Sequence, residues 1–162
     1  MDRSSVRFLR IALTLLTAWV VSPALARAAD EDDVRAAFKD FQQAIKAGDP
    51  EKIWASLDKS NHESAEKAAK SLCESYHKAD AKKKAEIEKA MGLSADELAK
   101  LTGKVYTKSK RFLGKYNEVP GSKIDKVTID GDKATVFYVE EDGDKVEMKA
   151  VRQDGKWKVS PK

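Results

Sequence analysis

The chain has little with which to cross-link itself. Its 162 residues include one cysteine, four prolines, eight glycines and two histidines. A lone thiol, Cys73, cannot form an internal disulfide, so packing must hold the fold. Burial is the simplest role for it. Cys73 and His77 are helix neighbours at i and i+4. His62 lies too far along the same helix to join them, and a closed zinc site needs about four ligands. No metal and no cofactor is expected.

Charge of one sign is also missing once the N-terminus is set aside. Arg3, Arg7 and Arg10 precede an apolar stretch from Ile11 to Val21, and Pro23 leads into Ala26-Arg27-Ala28. A basic start, a short apolar run and a small-x-small site make a secretory signal peptide, too short for a membrane anchor. Residues 1–28 are therefore expected to be removed, placing the protein in a periplasm or outside the cell. No stable membrane anchor would remain after cleavage. The rest of the chain holds 27 basic against 26 acidic residues, a net charge of +1. Global attraction to nucleic acid is not expected at that balance.

Residues 29–162 have the length of one domain with a modest core. Residues 31–116 carry helical patterning and 121–160 carry strand patterning, a segregation that predicts an α+β fold. Asp30-Glu31-Asp32-Asp33 is suited to the start of a helix whose apolar stripe includes Val34, Phe38, Phe41 and Ile45. Gly48 stops that helix, and Asp49-Pro50 starts another that presents Ile53, Trp54 and Leu57. A third helix presents Ala65, Ala69, Leu72 and Tyr76. Gly92 ends the lysine-rich stretch, and Ser94 with Glu97 has capping-box spacing. Val105, Tyr106, Ser109, Phe112, Leu113 and Tyr116 then predict one continuous helix.

Three Asp-Gly pairs, at 130–131, 142–143 and 154–155, separate β-prone runs and predict a four-stranded antiparallel meander. They lack the ligand spacing of a calcium loop. Two-residue turns at 142–143 and 154–155 would set Val139 opposite Val146, Phe137 opposite Met148, Ala150 opposite Val159 and Arg152 opposite Trp157. One face would then collect Phe137, Val139, Val146, Met148, Ala150, Trp157 and Val159, free of Asp, Glu, His and Tyr. Val136, Tyr138, Glu147, Lys149 and Val151 would face away from the helices. At 130–131 the turn is ambiguous; a three-residue bulged loop would bring Val127 and Ile129 to the core face.

The segment Val34-Arg35-Ala36-Ala37-Phe38 through Ala47-Gly48-Asp49-Pro50-Glu51-Lys52-Ile53-Trp54 resembles the nuclear-transport-factor-like (SnoaL-like, cystatin-like) α+β cone superfamily. So do the late strands Gly131–Val136 and Asp154–Val159. The resemblance implies helices laid over a curved sheet around a conical cavity. It covers isomerases, dehydratases, and immunity and binding proteins, so fold alone does not choose among them.

An isomerase of that kind needs a carboxylate base and a phenol or acid donor inside the cavity. The expected inward face offers neither, which favours an exported, non-catalytic binding or interaction domain; a cavity isomerase or dehydratase, or a structural envelope module, is the alternative. Trp54, Tyr76, Phe137, Met148 and Trp157 are the candidate lining of a small apolar pocket. Lys104, Lys108, Arg111 and Lys115 form a candidate basic stripe for an acidic partner. The partner would be a protein, a small apolar ligand, or a second copy docked through the half-apolar outer sheet face.

Overall fold

In a computed structural model, which describes residues 23–161, helices pack on one side of a four-stranded antiparallel sheet. Most of the expected export segment lies outside the described residues. Helix α1 (Pro23–Ala47) is followed by α2 (Pro50–Ser56), α3 (Lys59–Lys78) and α4 (Ala81–Met91). The short helices α5 (Ala95–Ala99), α6 (Gly103–Tyr106) and α7 (Lys110–Lys115) come next, then a 3-10 turn (Val119–Gly121). The strands are β1 (Lys123–Asp130), β2 (Lys133–Val139), β3 (Lys145–Gln153) and β4 (Lys156–Ser160), in that spatial order. No described helix is long and apolar enough to cross a membrane.

The local signals explain most helix ends. Asp49 accepts the backbone N–H groups of Glu51 and Lys52, with Pro50 at the first helical position of α2. Ser94 and Glu97 form a reciprocal capping box on α5. The acidic run at 30–33 does not cap α1, which begins at Pro23. Instead Glu31 pairs with Arg35 one turn on at 2.8 Å, and Asp30 pairs with Arg152 on β3.

The continuous helix expected over 105–116 is broken. Ser109, fully buried, caps α7 by accepting the Phe112 N–H at 3.2 Å, and buried Thr107 donates to the Lys104 carbonyl at 2.7 Å. Hydroxyls that bond the local backbone favour caps and turns over helix interiors.

Two apolar clusters result. The larger lies between α1, α2, α7 and the sheet, with Phe38, Phe41, Tyr138 and Trp157 among its members. The smaller lies between α3, α4 and α5, with Ala69, Tyr76 and Leu98 buried. Tyr106 packs against both.

The expected register is right between β3 and β4 and wrong by one residue between β2 and β3. Ala150 faces Val159 and Arg152 faces Trp157, across a turn in which Asp154 and Gly155 both have positive φ. At the preceding hairpin, however, Val136 faces Met148, Tyr138 faces Val146 and Phe137 faces Glu147. The loop there has three residues rather than two. Glu140 N–H donates to the Asp144 carbonyl at 2.9 Å, and Gly143, at φ 96°, closes the turn. An odd loop flips the parity of the strand before it. Val136 and Tyr138 therefore point into the core, and Phe137 and Val139 point out.

The first hairpin turns through Gly131-Asp132, pairing Ile129 with Ala134 and Val127 with Val136. Val127 and Ile129 thus reach the core face through a two-residue turn, because β2 has changed parity. Val136→Lys is expected to abolish stable folding, since it buries an unpaired charge at a fully enclosed position. Phe137→Lys should cost about 1 kcal/mol or less, as a surface change. Circular-dichroism melts of the two variants check this; the opposite ranking would restore the two-residue turn.

Candidate functional site

The five proposed lining residues do not converge. Met148 and Trp157 belong to the larger core, whereas Tyr76 belongs to the smaller one, its hydroxyl donating to Glu88 at 2.6 Å. Trp54 is half-buried on the flank of α2, stacked on His62 with ring centroids 3.9 Å apart. His62 Nε2 donates to the Trp54 carbonyl at 2.8 Å, which fixes that ring. Phe137 lies on the far face of the sheet, for the reason of parity given above.

The side of the sheet facing the helices is filled rather than hollow. Phe38 meets Tyr138 at a centroid distance of 5.0 Å, and Tyr116 meets Phe41 at 5.6 Å and Phe112 at 5.1 Å. The flipped strand also brings a phenol inward, contrary to expectation. Burial, with Glu140 nearby, pushes the Tyr138 hydroxyl up to about 12; burial, with Tyr106 and Tyr138 nearby, does the same to Tyr116. Glu140 is shifted upward by burial and then by Asp142, Glu118 and Asp144, at the acidic tip of the β2–β3 hairpin. It lines none of the three described depressions.

Asp58 is the one buried carboxylate among the described residues, at 4% exposure. It caps α3 by accepting Asn61 N–H at 2.9 Å, and it also accepts Asn61 Nδ2 and the hydroxyls of Ser60 and Ser160. Burial opposes its ionisation, but these donors outweigh that and hold the carboxyl below its ordinary value. All of its bonding capacity is turned toward the fold.

The basic stripe is dispersed by the break before Ser109. Lys104 pairs with Glu51 at 3.0 Å, Lys108 pairs with Glu97, and Lys115 lies 5.4 Å from the Tyr116 ring centre. Of the four, Arg111 and Lys115 are exposed and make no ion pair among the described residues. Cys73 and His77 both turn to one acceptor, the Ala99 carbonyl, at 3.4 and 3.0 Å. No group of three or more His, Cys, Asp or Glu side chains is arranged to hold a metal among the described residues.

Two surface features remain. A groove of about 640 Å³ runs between α1, α2 and β4, walled by Asp33 and Asp40 on one side and Lys52 and Lys156 on the other. Trp157 forms part of its wall. Its indole N–H is buried without a partner, and Arg152 lies over its ring at 4.9 Å. The second feature is the outer sheet face, where a depression of about 390 Å³ lies around Phe137, with Lys126 and Lys145 and the carboxylates Asp125 and Glu147 in its lining. Sequence reasoning offered that face as a half-apolar dimer surface, but its register put Val136 and Tyr138 there and Phe137 inside. No family model, no curated protein and no solved structure matches the chain.

Proposed function

We propose that the chain is an exported, non-catalytic binding domain that meets its partner through its outer surface. The observation that carries this reading is the filled space between sheet and helices, where a cone-fold enzyme would keep its cavity. Phe38, Phe41, Tyr116 and Tyr138 interdigitate there. The buried carboxylate supports the same reading. A general base needs a free lone pair and a pKa near working pH, and Asp58 has neither. Native mass spectrometry of the protein purified from cells that make it should return the polypeptide mass alone, and isomerase and hydratase substrates should not turn over. A stoichiometric small molecule that survives desalting, or turnover lost in a single Asp or Glu variant, would replace surface binding by cavity chemistry.

A second reading has one observation behind it, the partnerless indole N–H of Trp157 beside the α1–α2–β4 groove. A ligand carrying an acceptor could satisfy it. Trp157→Phe deletes the donor. With no ligand, it should leave stability within about 1 kcal/mol, since an unsatisfied buried group is removed along with the ring area. Ligand-dependent thermal stabilisation in the wild type that Trp157→Phe abolishes would promote the groove.

A further inference from the structure

Near-neutral net charge hides a local excess of lysine at the outward positions of the sheet. The outward positions of the sheet are Lys123, Lys126, Thr128 and Asp130 on β1, and Lys133, Thr135, Phe137 and Val139 on β2. On β3 and β4 the outward lysines are Lys145, Lys149, Lys156 and Lys158. The carboxylates at these alternating positions are Asp130 and Glu147. Asp125, at the β1 bulge, lines the same depression as Lys126 and Phe137, and the acidic hairpin tip Glu140–Asp144 borders it beyond Val139 and Lys145. Glu147 pairs with Lys149 at 3.1 Å, and Lys158 is held by the Ala55 carbonyl. Lys123, Lys126, Lys133, Lys145 and Lys156 are exposed, and none of them makes an ion pair among the described residues.

The register centres an apolar spot among these charges. Val139 lies between Lys123 and Lys145, and Phe137 lies between Lys126 and Glu147. With strands spaced just under 5 Å, the flanking lysines stand about 10 Å apart at their backbones. We propose that this face docks on the surface of an anionic phospholipid bilayer, its lysines on the headgroup phosphates and Phe137 set into the interface between them. The inference rests on the surface-binding reading and names the partner.

Charge complementarity decides among the occupants. A second copy would bring two lysine-rich faces together, which repel. A single-stranded nucleic acid is read by two or three stacked aromatics and by arginine planes. This face has one aromatic, and Arg152 is turned inward to Asp30 and Trp157. Lysine is a hydrated point charge on a flexible stem, suited to phosphates that offer no fixed geometry.

The test is co-sedimentation of the full chain with vesicles of phosphatidylglycerol and phosphatidylcholine, against phosphatidylcholine alone. Neutral vesicles report the apolar contribution of the N-terminal segment. Its arginines (Arg3, Arg7, Arg10 and Arg27) add an anionic contribution that every variant shares, so the variants are read against one another and against an Arg3/Arg7/Arg10/Arg27→Gln background. The anionic increment should fall about a hundredfold in K123Q/K126Q/K145Q, each lysine contributing about fivefold, and should vanish at high salt. K78Q/K82Q/K83Q makes the same charge change at exposed helical positions and should stay within about threefold of wild type, since surface attraction is local. No anionic increment, or equal loss in the two triple variants, overturns the proposal and leaves surface binding to another partner standing. So does oligodeoxythymidine binding that Phe137→Ala abolishes while vesicle binding is unchanged.

Discussion

Phe38→Ala is expected to lower the unfolding free energy by about 3–5 kcal/mol, the usual loss for an aromatic removed from a closed core. For a domain of this length that is a fall in Tm of roughly 10–15 °C. Phe38 has no solvent exposure, lies on the buried stripe of α1 and packs at 5.0 Å against the Tyr138 ring. Its neighbours Val34 and Phe41 are equally enclosed. Collapse into the vacated space would have to move a helix relative to a hydrogen-bonded sheet, so most of the cavity should persist. Trp54→Ala removes a larger side chain yet should cost only about 1–2 kcal/mol, because the ring is half-exposed and loses chiefly its stacking on His62. Denaturant unfolding of both variants, compared at constant slope, checks the ranking. Equal losses, or a Phe38→Ala cost below about 1.5 kcal/mol, would mean that the space under the helices is loose enough for a pocket.

The ranking also shows what could be read without coordinates. Period-3.6 stripes located Val34, Phe38 and Phe41, because a helix exposes its apolar face to simple counting. Caps were legible too, since Asp49, Ser94 and Gly92 act on the backbone within four residues. Trp54 was misplaced into a pocket because its stripe edge faces His62, a partner eight residues away that periodicity does not reveal. The helix expected across Ser109 failed for a similar reason: a serine on an apolar stripe reads as part of it until its hydroxyl is seen capping α7.

The sheet was legible as a meander and illegible in parity. Asp142-Gly143 fits a two-residue turn, but Glu140 and Asp144 close a three-residue loop around it, and the single extra residue reverses β2. β2 is apolar on both sides, with Val136 and Tyr138 alternating with Phe137 and Val139, so its own pattern could not arbitrate. The outer face was legible as half-apolar, but Phe137 and Val139 joined it only once that strand was turned over. Its lysines, spread over four strands at alternating positions, form no run along the chain.

Asp58→Ala should cost about 2–4 kcal/mol at neutral pH, combining a lost helix cap of about 1 kcal/mol with charged hydrogen bonds at about 1.5–3 kcal/mol. The residue joins three elements. Its N–H donates to the Val159 carbonyl at 3.0 Å, its carboxylate caps α3, and Ser160 on β4 donates to it at 2.9 Å. Loss of the carboxylate would free the α2–α3 junction from the β4 edge and leave three side-chain donors without an acceptor. Asp58→Asn keeps one oxygen and should cost about half as much. The pH dependence separates the charge from the shape. The folded carboxyl ionises below its ordinary value, whereas the unfolded one ionises near 3.9. As pH falls below about 4 the unfolded chain takes up a proton that the native state refuses, so the wild-type advantage shrinks with acid. Glu97, held down to about 2 chiefly by Lys108 and the Ser94 backbone, adds its own acid sensitivity to both proteins and cancels in the difference. Stability of wild type minus Asp58→Asn, followed from pH 7 to pH 2, should therefore be flat above about pH 5 and decline below it. A difference that stays constant into acid would show that Asp58 holds the junction by shape alone.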